Sequence, residues 1–286
     1  MRVKRLIINA DDFGIHTSVN QAVLRAYEYG LLKSTSLIAG GRAAEEAAML
    51  AREAHGLGVG VHLTWVAESP VSDAAKVPSL VDGEGRFLPH HIAFIKRFLT
   101  GAVRREELRL EAEAQIKKIL QLGVTPTHID SHQHLHVLPG VIDMVLELAA
   151  KYGIRKLRIP CEPFLFRGNY PAAFARLLAK WGLLSCAFMA RQKARRRGFS
   201  FPHSFYGMLA GGHLEEPYLL SMLAALPAGT SEIMMHPAAD DRAMSSVYDW
   251  QYHWQGELAA LQSPTVKACI KEKDIQCISY RELKDE

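Results

Sequence analysis

Short apolar runs rich in β-branched residues alternate with helix-patterned stretches along most of this 286-residue chain. That alternation is its strongest constraint on the fold. Leu6-Ile7-Ile8-Asn9 suits a strand buried on both faces, and Asp11-Asp12 and Gly14 end it. Thr17 or Ser18 is placed to cap a helix running to Tyr29, where Gly30 stops it. Residues 35–39 and 59–63 read as the next strands, with an Ala-rich helix over 43–54 between them. A long connection over 65–90 follows, punctuated by Pro and Gly, and such loops are often functional. Leu108, Ala112, Ile116, Ile119 and Leu120 recur at helical spacing within 104–122. Further strands are predicted over 127–131, 156–160, 232–235 and 276–279. Helices are predicted over 141–152, 215–226, 250–261 and 264–273. Repeated β-then-α units predict parallel strands with outer helices. About seven strands are countable, close to what a closed barrel needs. The expected architecture is therefore α/β: a single-domain (β/α) barrel-like fold over 1–286, with 161–213 as an inserted apolar and basic segment. An open doubly wound sheet is the alternative, because periodicity does not register closure.

Charge narrows the partners. The chain has 34 Lys and Arg against 30 Asp and Glu, a net +4 that is too weak to argue for nucleic acid. Its 49% apolar and 22% charged residues are ordinary for a globular protein and exclude a disordered, collagenous or disulfide-dense chain. Cys161, Cys186, Cys269 and Cys277 form no C-x-x-C pair and read as reduced thiols. The N-terminal apolar run is too short for a signal peptide, and no stretch approaches the ~18 apolar residues of a membrane span. The expected compartment is the cytoplasm.

In parallel α/β folds, ligands bind beyond the carboxyl ends of the strands. Asp11-Asp12, His62, the run from Asp130 to His136, and His236-Pro237 all follow apolar runs there. Adjacent aspartates are usually a solvated turn or a helix cap. Both stay ionised cheaply in one pocket only near a cation, where one binds metal and the other acts as a base. A lone His62 is either a satisfied core histidine or a ligand. Asp130-Ser-His132-Gln-His134-Leu-His136 says more: if extended, Asp130 and the three histidines share one face, which is poor core packing. Imidazole and carboxylate donors suit Zn²⁺ and its neighbours, although some of these side chains can serve only to orient ligands. His236 is either structural or a general acid facing the metal. Arg158 is either a carboxylate partner at the mouth or a surface cation.

On these residues the chain resembles a known family. Asn9-Ala-Asp-Asp-Phe-Gly14, Gly60-Val-His-Leu63 and Thr127-His-Ile-Asp-Ser-His-Gln-His-Leu-His136 are similar, in the same order, to the motifs of YdjC-like carbohydrate deacetylases, which include chitooligosaccharide deacetylases. The resemblance covers most of the chain. Residues 248–264 are most similar to the family's hopanoid biosynthesis-associated branch, HpnK. The family implies a barrel-like fold and metal-dependent removal of acetyl from an N-acetyl sugar. It implies Asp12, His62 and His132 as metal ligands and Asp11 as the catalytic base. By analogy with the wider polysaccharide deacetylases, it implies His236 as the acid and Arg158 as the support of the aspartate. Asp130 and His134 are expected to orient ligands or bind substrate. The branch implies an N-acetylglucosaminyl hopanoid as substrate. One divalent cation is expected. The ligand chemistry favours Zn²⁺, and Mg²⁺, Mn²⁺, Co²⁺ and Ni²⁺ are compatible with it.

Two other readings stand beside this one. His132-x-His134 suggests another amidohydrolase-type metallohydrolase, although in those barrels the His-x-His usually sits on the first strand. A noncatalytic sugar- or lipid-binding barrel with a structural metal is the non-enzyme alternative. Residues 161–213 join an apolar helix over 171–190 to a basic end, Arg191-Gln-Lys-Ala-Arg-Arg-Arg197. This is either a core helix with a basic last turn or an interfacial segment in peripheral contact with a membrane's inner face.

Overall fold

The computed structural model describes residues 3–167, 170–171 and 174–284. Its strands are β1 (Lys4–Phe13), β2 (Ser34–Leu37), β3 (Gly58–Leu63), β4 (Ile129–Ser131), β5 (Ser204–Tyr206), β6 (Gly229–Met235) and β7 (Ile275–Cys277). Its helices are α1 (Thr17–Tyr29), α2 (Ala44–Glu53), α3 (His91–Leu99), α4 (Arg105–Gln121), α5 (Val141–Lys151), α6 (Phe174–Arg196), α7 (Glu216–Ala225), α8 (Asp241–Ser245), α9 (Trp254–Leu261) and α10 (Pro264–Glu272). All strand pairs are parallel, in the order β4-β3-β2-β1-β6-β5, with β7 also paired to β1. The predicted strand over 156–160 reduces to two bridges, Ile129 with Leu157 and Lys156 with Ser200. Those bridges carry the pairing from the β4 edge to the run leading into β5. The outer edges are thereby joined, as the barrel-like expectation requires.

β1 is the central strand of the sheet, paired with β2, β6 and β7. Leu6, Ile8 and Ala10 belong to the large core shared with the helices, whereas Ile7 packs with Ile278, Tyr280 and Leu283. Alternation thus sends Asn9 and Asp11 the same way as Ile7, into the interior. Near its end β1 gains one residue: Ala10 pairs with Thr35 and Phe13 with Leu37, so three steps oppose two. Asp12 absorbs the bulge at φ 65°, a left-handed conformation uncommon outside glycine. The bulge breaks alternation, and both carboxylates turn inward.

Helix boundaries follow local chemistry. Gly30 ends α1 at φ 97°, as expected, but His16 rather than Thr17 or Ser18 caps its start. The His16 Nδ1 accepts from the Ser18 N–H at 3.1 Å. The run after Asp130 is not extended. Residues His132–Val137 form 3₁₀ turns, with Gln133 and His134 both at φ 56°. Asp130 and the three histidines therefore do not share a face. α3, α8 and β5 are not among the predicted elements; α8 and β5, at five and three residues, are too short to carry a pattern.

Candidate metal centre

The strand ends converge as expected. Asp11 and Asp12 come from β1, His62 from β3, Asp130 and His132 from the end of β4, and Arg158 from the bridging run. All six are at least 96% buried. Arg158 grips Asp11 with two hydrogen bonds of 2.6 Å, one to each carboxylate oxygen. The same guanidinium pairs with Asp130 at 3.0 Å and with Glu232 at 2.8 Å. Asn9 Nδ2 donates to Asp11 Oδ1 at 2.8 Å. His62 Nδ1 meets Asp130 Oδ1 at 2.7 Å and the Ser36 hydroxyl at 3.1 Å. That bond fixes the ring and aims Nε2 at Asp12 Oδ1, 3.4 Å away. His132 Nδ1 lies 2.9 Å from the same Asp12 oxygen.

Asp12, His62 and His132 each offer a donor atom within 4.8 Å of the others, as do Asp11, His62 and Asp130. The second set is already committed, because Arg158 occupies Asp11 and Asp130. The first set fits a cation on two grounds. His62 Nε2 is buried and makes no hydrogen bond. In addition, Asp11, Asp130 and Glu232 share a single buried arginine, which leaves the Asp12 carboxylate, among the described residues, with only histidines as partners. Burial opposes charge on His62, but Asp130 and Asp11 outweigh it and push the imidazole up to about 10. Burial likewise opposes the Asp12 carboxylate, yet His132 and His62 hold it well below the usual range. The cage draws in positive charge, and one carboxylate with two imidazoles is a borderline donor set suited to Zn²⁺ or a related divalent ion.

The remaining predicted residues take other places. His236 follows β6 and is 93% buried, with its Nδ1 unpaired. Its backbone N–H donates to Glu257 Oε2. His134 is not brought to the metal donors. Its ring packs edge-on against Phe205, 5.4 Å away, and burial holds it well below the usual histidine range. His136 bonds the Ser131 hydroxyl and the Arg158 carbonyl, which ties the 3₁₀ turns to the barrel.

Several residues of the site were not read from the sequence. Glu232 lies in an apolar strand, yet it holds Arg158 and accepts from the Tyr280 hydroxyl at 2.6 Å. A carboxylate inside an otherwise apolar strand was the available signal. His128 stacks on Tyr280 with centroids 3.8 Å apart, and a Cβ at Gly60 would overlap the His128 ring. The opposite wall of the mouth is aromatic. Tyr248, Trp250, Tyr252 and Trp254 alternate with exposed Asp249, Gln251 and His253. Trp250 lies 5.1 Å from the His132 ring, and Tyr252 lies 5.2 Å from His236. The Tyr248 hydroxyl donates to Glu68, whose carboxyl burial pushes up. That strict aromatic period of two in a loop was the missed signal.

Similarity to known proteins agrees with this geometry. A carbohydrate deacetylase of Geobacillus stearothermophilus is 34% identical over 278 residues, covering 97% of each chain. A chitooligosaccharide deacetylase of Enterobacter sp. (strain 638) is 30% identical, covering 98% of this chain and 99% of the relative. A crystal structure from Enterococcus faecalis V583, whose name refers to cellobiose-phosphate cleavage, superposes with a TM-score of 0.75 at 28% identity. That superposition covers 97% of this chain and 98% of the other. Residues 5–272 match the family described as YdjC-like protein, and the chain belongs to that family.

Proposed function

We propose that this protein is a metal-dependent carbohydrate deacetylase that hydrolyses the acetamide of an N-acetyl amino sugar. The observation that carries the reading is the buried group of Asp12, His62 and His132 beside a separate, arginine-held Asp11. Asp12, His62 and His132 would hold the cation. A divalent ion bound there supplies Lewis acidity for a water molecule and the acyl oxygen. Asp11 serves as the general base. Arg158 and Asn9 fix its orientation, so it is held where it can take the water's proton. His236, beside Tyr252, gives a proton to the departing nitrogen, because a neutral amine leaves far more readily than an amide anion. Asp130 keeps His62 in one tautomer and ring orientation. Half-buried Trp250 offers its ring face to the sugar beside His132.

The finer reading is an N-acetylglucosaminyl head group carried by a hopanoid lipid, converted to the free glucosaminyl lipid by a cytoplasmic protein at the membrane's inner face. The similarity of 248–264 to the hopanoid-associated branch supports it. That segment supplies the aromatic wall, which is where a substrate preference would be written.

The test is acetate release by metal-loaded protein from N-acetylated chitooligosaccharides and from acetylated glycolipids, followed by mass spectrometry. Asp11→Asn is expected to retain the cation in metal analysis and to lose turnover by about 10²–10⁴-fold, the usual worth of a general base. An Asp11→Asn variant with a near-normal rate removes Asp11 from that role. Bound metal without acetate release from any of these substrates favours the noncatalytic binding barrel.

A further inference from the structure

We infer that the outer face of α6, together with the Phe164-Leu165 loop beside it, docks on an anionic membrane surface. α6 is apolar on two sides. Its inner side packs through Ala187, Ala190 and Ala194, all fully buried, and through Lys180, which pairs with buried Glu162 at 2.6 Å. A surface helix ordinarily turns polar residues outward. Here the outward line is Phe174, Leu178, Trp181 and Phe188, spaced by four, three and seven residues. Phe174 is 68% exposed and Phe188 62%. Phe164 stacks on Trp181 with centroids 5.5 Å apart, and Leu165 beside it is 86% exposed. The stripe is about 20 Å long at the helical rise. Contiguous exposed apolar surface of this kind marks an interaction site.

Charge selects the partner. Residues 163–214 contain eight Lys and Arg and no Asp or Glu. Removing those eight from the chain's 34 leaves 26 cations against 30 acidic residues, so the chain's basic excess lies in this segment. Asp143 pairs with both Lys193 and Arg197, which leaves one positive charge of the two uncompensated. Arg195 and Arg196 are exposed at one end of the stripe, and Arg167 and Arg176 at the other. An apolar face flanked by cations matches a bilayer whose headgroups are anionic. A second copy of this chain would set like charges against each other. No helix among the described residues is long and apolar enough to cross a membrane, so the contact is peripheral.

The stripe also leads to the site. Arg176 donates to the Tyr170 hydroxyl at 3.0 Å, and Tyr170 stacks on His213 at 5.9 Å. His213 in turn lies 6.4 Å from Tyr252, next to His236. A docked protein therefore holds its mouth near the lipid surface. This extends the lipid-linked reading of the substrate, and its test needs no turnover.

Full-length protein is floated with phosphatidylcholine vesicles, with and without phosphatidylglycerol. The expected result is binding to the anionic vesicles only, falling as salt rises. Replacing Leu165, Trp181 and Phe188 together with Glu is expected to weaken binding by about tenfold or more. Leu165→Glu alone, on a loop, keeps the test open should the triple variant unfold, and is expected to weaken binding several-fold. No flotation of the wild type at low salt overturns the inference, as does undiminished flotation of these variants. A wild type that runs as a dimer while the folded variants run as monomers also overturns it, by assigning the face to a second copy. Acetate release from soluble chitooligosaccharides, measured on the same variants without vesicles, reads the deacetylase proposal separately.

Discussion

On the β1–β3–β4 side of the mouth, Asp11, His62 and Arg158 are each held at least twice. Asp11 accepts from Arg158 and Asn9, and His62 is fixed by Asp130 and Ser36. Arg158 in turn is fixed by three carboxylates. On the opposite side, Trp250 and Tyr252 come from a segment without regular structure, bent through Gln251 at φ 56°. Their partners are mainly neighbouring rings. The charged wall is built to hold one geometry in a dry site, where a misplaced carboxylate costs more than in water. In the aromatic wall Tyr248 and Trp254 are anchored in the core, whereas Trp250 and Tyr252 between them are only partly buried. If the proposed function holds, chemistry falls to the charged wall and substrate preference to the aromatic one.

Arg158→Met attacks the charged wall where it is most dependent. It leaves Asp11, Asp130 and Glu232 buried with no arginine between them, and breaking such a pair on one side costs about 3–5 kcal/mol. Denaturant unfolding of metal-free protein is the measurement. A loss below about 1 kcal/mol would mean that the three carboxylates find other partners, and that the wall is less over-determined than its contacts indicate.

A pH titration sharpens the same side. Burial lowers His136 to about 4, against an ordinary value near 6.5. Its neutral form is the one the fold accommodates, so its contribution is complete above pH ~6.5, where the unfolded imidazole is also neutral. It is lost as pH falls from there towards about 4, because only the unfolded chain gains the proton. His136 is expected to account for up to roughly 3 kcal/mol of the loss over that window, beside the losses from buried His128 and His134, so that metal-free His136→Asn shows a shallower slope than wild type. Equal slopes would assign the acid sensitivity elsewhere.

The two walls also differ in how far they were legible. Asp11, Asp12, His62, His132, Arg158 and His236 stand at ends of strands that hydrophobic runs announce, so β/α alternation brings them to one mouth. The shape of the run after Asp130 was not legible. Its polar alternation suits a strand, but Gln133 and His134 turn left-handed, and the hydrogen bonds of His136 hold that turn. Those bonds are tertiary, and local pattern does not contain them. Glu232 was hidden for a related reason, since its partners Arg158 and Tyr280 lie 74 and 48 residues away. The 161–213 segment was ambiguous because an apolar helix reads alike whether one or two faces are buried. Only its exposure distinguishes them.

Trp250→Ala tests the aromatic wall with the smallest expected effect. Trp250 is half-buried and stacks near His132 without bonding to the metal donors. If its ring serves as a platform for the sugar, the loss falls mainly on ground-state binding. KM for an N-acetylated oligosaccharide should rise by about tenfold while kcat changes little, the signature of uniform binding. Stability should fall by no more than about 1 kcal/mol, since little of the core rests on this side chain. A kcat loss as large as that of Asp11→Asn would show instead that Trp250 holds His132 in place. The two walls would then be one catalytic unit, and the aromatic segment would no longer be free to vary with substrate.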